Sequence, residues 1–176
     1  MKWSDIKEFP LINYTVDVSW ITLDEWVEEE TANGLILDPS FQRGYVWSEY
    51  QKVAYIEYQL RGGISGKDIY FNHPYWMESS RTTEGTLELV DGKQRLNAVR
   101  EFMNNEIRAF GLFFKEFEGP FLWSNYTLRF HIAKIKERKD LLKWYISMNT
   151  GGSIHTEEDI QPAYEELEKL AERRGI

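Results

Sequence analysis

The sequence predicts an α+β domain: a small mixed sheet with helices packed on it. In "YTLRFHIAKI" (126–135), Tyr126, Leu128, Phe130 and Ile132 alternate with Thr127, Arg129 and His131. That period of two marks a strand with one buried face. "TLELVDGKQRLNAVREFM" (86–103) opens as an alternating strand and closes as an amphipathic helix. Strands and helices interleave, but the strands are few and short. They lack the long apolar runs of a doubly wound parallel sheet.

The elements follow in order. "LINYTVDVSW" (11–20) alternates as a strand. Thr22 with Glu25 forms a capping box for a helix over about 23–32, which Asn33-Gly34 ends. "LIL" is a short buried strand, and Ser48 with Gln51 makes a second capping box. The helix behind it runs to about Arg61 with Val53, Ile56 and Leu60 on one face, and Gly62-Gly63 stop it. "DIYFN" is a strand and "HPYWMESSRTTEG" a polar loop. After Asn105, "IRAFGLFF" reads as extended. "KERKDLLKWYISMN" is helical up to Thr150-Gly151-Gly152, and Thr156 caps a last helix in which Pro162 predicts a kink or a restart.

The chain has 176 residues, 42% hydrophobic and 28% charged, which describes one globular domain able to bury a core without a staple. It has no cysteine, which removes disulfides, thiolate nucleophiles and cysteine-bound metals. No apolar run approaches the roughly 20 residues of a membrane span, and "MKWSDIKEFP" is no signal peptide. No membrane association is expected, and the cytoplasm is the expected location. The net charge of −8, from 21 basic and 29 acidic side chains, disfavours nonspecific gripping of duplex DNA by the whole surface. Its acids cluster in "DEWVEEE" and "TEEDIQPAYEELE", read as solvated helix faces.

The joint Asp91-Gly92-Lys93-Gln94-Arg95 carries the most chemistry. A helix N-terminus is an anion seat, because its first N–H groups are unpaired and its dipole end is positive. Gly92 lets a bound group approach the backbone. Lys93 and Arg95 add charge, and the arginine fork suits two phosphate oxygens. Asp91 either caps the helix or holds a hydrated magnesium ion through one oxygen, while Gln94 can fix a water or a base edge. The same letters also fit an ordinary Asp-Gly turn with solvated cations. The spacing is not that of a P-loop.

Two other stretches resemble partners of this joint. "FQRGYVW" (41–47) sets Gln42 and Arg43 among aromatics, and "MNTGGSIHTEED" (148–159) sets Asn149, Thr150, Gly151 and Gly152 between helices. With "VDGKQRL", the three resemble, in order and approximate spacing, the ParB-like domain at the N-terminus of GmrSD-type modification-dependent restriction endonucleases. The resemblance covers about residues 17–160, within a single domain of 1–176 whose C-terminal helix spans about 156–174. It implies a ParB/sulfiredoxin-like mixed α+β fold.

The resemblance also implies binding, and with it hydrolysis, of a nucleoside triphosphate with Mg²⁺. Asp91, Gln94 and Arg95 would be catalytic, with Asp91 at the metal. Gln42, Arg43, Gly92, Lys93, Arg95, Asn149, Thr150, Gly151 and Gly152 would hold the nucleotide. Lys93 departs from the family, which usually has glutamine there; a lysine strengthens phosphate binding and alters the position that would hold an attacking water. Longer relatives carry a His-Asn-His nuclease. The three histidines here, His73, His131 and His155, show no metal-ligand spacing, so no nuclease site is expected in this chain. His131 reads as structural or solvated. Sulfiredoxin chemistry is excluded because it needs a cysteine. Two alternatives stay open: a non-catalytic module that binds DNA or a separate nuclease or defence protein in phage defence, and a nuclease acting on modified DNA.

Overall fold

The computed structural model of the protein describes residues 5–6, 12–42, 47–78, 85–122, 124–150 and 157–173. Its elements, in order, are β1 (Ile12–Ser19), α1 (Leu23–Ala32), α2 (Glu49–Leu60), β2 (Asp68–Asn72), β3 (Glu88–Asp91), α3 (Lys93–Met103), β4 (Thr127–Ala133), α4 (Arg138–Thr150) and α5 (Glu157–Arg173). The strands form one sheet in the order β1-β4-β2-β3. The β1–β4 and β2–β3 pairs are antiparallel, and the central β2–β4 pair is parallel. The fold is α+β, as the sequence predicts.

Both faces of the sheet are used. On one face Ile69, Phe71, Leu89, Leu128 and Phe130 meet Leu23 of α1, Ile56 of α2 and Leu96, Val99 and Phe102 of α3, all buried. On the other, Val90 and Ala133 pack with Leu141, Leu142 and Tyr145 of α4 and Ile160 and Ala163 of α5. Two covered faces explain why β3 is buried at Glu88, Leu89 and Val90 rather than alternating. In β4 the expected alternation holds: Leu128, Phe130 and Ile132 are buried, while Arg129 is exposed and His131 half-buried. No helix among the described residues is long and apolar enough to cross a membrane.

The capping box at Ser48 forms as predicted. The Ser48 hydroxyl accepts from the Gln51 N–H, and the Gln51 side chain accepts from the Ser48 N–H. The box at Thr22 does not. A single 3-10 turn, Trp20–Thr22, precedes α1, and in it the Thr22 hydroxyl turns back to donate to the Ser19 carbonyl at 3.2 Å. "LIL" contributes only one parallel bridge, Ile36 to Glu88.

"IRAFGLFF" is not extended. Phe110 (φ 52°) and Gly111 (φ 78°) form a tight reversal closed by the Ala109–Leu112 bridge, and a 3-10 turn follows at Phe114–Glu116. Two successive positive φ values reverse the chain within two residues, which overrides its apolar pattern. α5 runs unbroken through Pro162. Pro162 is the sixth residue of α5, and its missing N–H takes one backbone donor from the helix without ending it. The Thr156 cap lies outside the described residues.

Candidate functional site

β3 ends at Asp91, α3 begins at Lys93, and Gly92 between them has φ 103° and ψ 8°. That left-handed geometry favours glycine. An added Cβ would also stand 2.6 Å from Ile69 Cδ1 and 3.2 Å from Ile69 Cα, so the joint packs directly on β2. Gly92, not Asp91, is the N-cap, and among the described residues no side chain caps the first turn of α3.

Asp91 is instead drawn across the turn. Its Oδ2 accepts from Arg95 Nη2 at 2.7 Å, with the two side chains 34% and 25% exposed. Arg95 Nε is buried and has no hydrogen-bond partner among the described residues.

A bulge decides which way Asp91 faces. The antiparallel ladder pairs Asn72 with Glu88 and Phe71 with Leu89; continued regularly, it would set Tyr70 against Val90 and Ile69 against Asp91. The register slips between Phe71 and Tyr70, and Tyr70 pairs with Asp91. Val90 becomes the extra residue, and Asp91 leaves the row of the fully buried Ile69.

The row continues across the sheet, where Tyr70 pairs with His131 and His131 with Thr15. The Tyr70 and His131 rings stack at 4.7 Å and 18°, and Trp144 of α4 meets Tyr70 edge-on at 6.2 Å. Burial raises the Tyr70 phenol pKa. The carboxylates of Asp68 and Asp91 push it the same way, and Arg95 opposes them, so these four groups share one local field. His131 Nε2 lies 2.7 Å from Asp68 Oδ1, and its Nδ1 lies 3.1 Å from the Thr15 hydroxyl.

The two glutamines are anchors. Gln42 Nε2 donates to the carbonyls of Leu89 at 2.5 Å and Val90 at 2.8 Å, satisfying oxygens at the bulge. Gln94 Oε1 accepts from the Trp47 N–H at 3.1 Å. Both flanks of 43–46 are thus tied to the β3–α3 joint; Arg43 itself lies outside the described residues. Lys93 Nζ bonds Asp38 Oδ1 at 2.5 Å, with the lysine side chain 12% exposed. Its charge is already matched by the loop that leads to Gln42.

Asn149 and Thr150 are the last residues of α4 rather than loop. Asn149 Nδ2 donates to the Tyr145 carbonyl at 2.7 Å and the Thr150 hydroxyl to the Ile146 carbonyl at 2.9 Å. Gly151 and Gly152 lie outside the described residues. α4 begins with Arg138 bonded to Glu88 and lays Trp144 against Tyr70, so its final turn is directed past the Asp91 end of β3. Among the described residues there is no group of three or more His, Asp or Glu able to hold a metal.

The sequence reading passed over Asp68, Tyr70 and His131 as site residues. The period of two in "DIYFN" places Asp68 and Tyr70 on one face, but only the parallel pairing of β2 with β4 brings His131 beside them.

Fold and joint together define an α+β domain organised around an Asp-Gly-Lys-Gln-Arg strand-to-helix corner. The chain belongs to the family of GmrSD restriction endonuclease N-terminal domains, whose model matches residues 23–115, more than half of the chain. The match contains "FQRGYVW" and the β3–α3 joint and stops before β4. No curated protein and no solved structure matches the chain.

Proposed function

We propose that the domain binds a nucleoside triphosphate at the corner between β3 and α3. The supporting observation is the incomplete pairing there. Among the described residues no side chain caps the first turn of α3, and Arg95 Nε is without a partner. A helix start and an adjacent guanidinium together suit phosphate oxygens. Arg43 would add a second guanidinium, its flanking residues being anchored to this joint through Gln42 and Gln94. Asn149 to Gly152 would close the far side.

Magnesium fits as a companion of the phosphates rather than as a resident ion. Asp91 offers Oδ1, which has no hydrogen-bond partner among the described residues, while Oδ2 holds Arg95. One carboxylate oxygen with phosphates and waters is a habitual magnesium shell, and the ion would neutralise phosphate charge. The chain's own residues would orient and screen the phosphates, which is most of what phosphoryl transfer asks of a protein. Lys93, held by Asp38, supplies charge from the flank, and the bond from the Trp47 N–H fixes where the Gln94 amide stands.

Isothermal titration with each nucleoside triphosphate and Mg²⁺ tests the proposal. Saturable binding that Arg95→Ala abolishes is expected, and phosphate release from the same samples reports turnover. No heat at millimolar nucleotide overturns the proposal. DNA binding without nucleotide that weakens steeply with salt favours a DNA-reading module instead.

A further inference from the structure

We propose that Asp68, steered by His131, is a ribose-reading residue, and that the ligand is therefore a ribonucleotide rather than a deoxyribonucleotide. This rests on the nucleotide reading above and extends it from the phosphates to the sugar.

Asp68 does not take the partner that its register offers. In the parallel ladder it pairs with Arg129, but Arg129 turns the other way and binds Asp17 with two bonds, at 2.8 and 3.2 Å. Asp68 leans instead to His131, one row further along, in the row that holds Tyr70 and Asp91. The lean carries the carboxylate along β2 toward the row of Tyr70 and Asp91, on the β4 side of that strand.

His131 is well fixed for this work. Its side chain is 15% exposed, its ring stacks on Tyr70, and both ring nitrogens are engaged. One proton assignment satisfies the whole chain: the Thr15 hydroxyl donates to Nδ1, and Nε2–H donates to Asp68 Oδ1. Asp68 Oδ2 has no partner among the described residues, and the side chain is 47% exposed. An oriented carboxylate with an open acceptor oxygen remains.

Charge separation indicates what that oxygen receives. The cationic features, Arg95 and the start of α3, follow Asp91 in the chain, and Asp68 is the diagonal neighbour of Asp91 on β2, two residues before its partner Tyr70. Diagonal neighbours on antiparallel strands are about 7–8 Å apart. A ligand spanning the two must be anionic at α3 and a neutral donor at β2. A phosphate at Asp68 would be repelled, whereas a sugar hydroxyl one linkage from the phosphates would donate to it. Carboxylates read ribose hydroxyls in this way in dinucleotide-binding folds.

The test is titration of the 176-residue chain with ATP and with 2′-deoxy-ATP, each with Mg²⁺, then with the corresponding guanine pair. Circular dichroism confirms that each variant is folded. Wild type should bind the ribonucleotide about tenfold tighter or better, as expected for one lost bond to a charged group. Asp68→Ala should bring the ratio close to one while retaining binding. His131→Ala should lower the same ratio, and His131→Gln, which keeps an N–H donor, should restore part of it. A role in folding alone would not move this ratio.

Equal Arg95-dependent binding of both sugars, a preference that survives Asp68→Ala, or discrimination that follows the base rather than the sugar overturns the ribose assignment alone. Absence of any binding, or binding indifferent to Arg95→Ala, overturns the nucleotide reading and this one with it.

Discussion

The two ends of β3 use the same chemistry to opposite effect. At Glu88, Arg138 makes two bonds to the carboxylate at 2.9 and 2.7 Å and a third to Glu166 at 2.7 Å, and its guanidinium lies 4.8 Å over the Phe41 ring. The Ser40 hydroxyl donates to the second Glu166 oxygen at 2.8 Å. At Asp91, a few residues along, Arg95 makes one bond to one carboxylate oxygen, and among the described residues its Nε is unmatched and no side chain caps the adjoining helix. An arginine with every face engaged is a rivet. An arginine with matching left undone, at a helix start, is what the nucleotide proposal builds on. Degree of pairing, rather than residue type, separates the closed end from the open one.

The sharpest way to break this contrast is to truncate each arginine. Arg138→Ala leaves Glu88, whose side chain is only 11% exposed, without its counter-charge. It should destabilise the domain by about 3 kcal/mol or more. Arg95→Ala should change stability by less than about 1 kcal/mol, since its single pair is partly exposed. Urea denaturation of both variants makes the comparison, and equal losses would erase the distinction.

A smaller effect is expected at the glycine of the joint. Gly92→Ala must place a Cβ at φ 103° and against Ile69. A loss of about 2 kcal/mol is expected from the backbone conformation and the contact together. An unchanged midpoint would show that the joint is looser than described.

The smallest effect is one of pH. Burial alone would raise the Glu166 carboxyl, but the bonds from Arg138 and Ser40 outweigh it and hold its pKa below the usual 4.5. A carboxyl depressed in the folded state stabilises above its unfolded pKa, and that contribution is lost as pH falls from about 4.5 through the folded value. Thermal melts of Glu166→Gln should therefore be flatter than wild type across that acid window. Parallel curves would remove Glu166 from the rivet.

Much of this was legible in the letters. "DIYFN" gives β2 residue for residue, the Ser48 box forms, and the joint at 91–95 is a strand-to-helix corner. These features depend on local chemistry: period, caps and a glycine. What escaped depends on partners distant in sequence. Asp91 reads as an N-cap, but the β2–β3 bulge sets its direction, and no local pattern encodes a slip against Tyr70. Gln42 reads as a ligand residue, yet it serves carbonyls 47 and 48 positions away. His131 reads as solvated because its partner Asp68, 63 positions earlier, arrives only through the parallel pairing of β2 with β4. Thr22 failed as a cap for a nearer reason, the 3-10 turn that redirects its hydroxyl.

The Gln94 bond to the Trp47 backbone has an optical consequence. The indole of Trp47 lies 5.4 Å from the Tyr55 ring, while its own amide is held by the residue next to Arg95. Anything that displaces Gln94 also tugs on a fluorophore, so the domain carries a built-in emission gauge at the mouth of its corner.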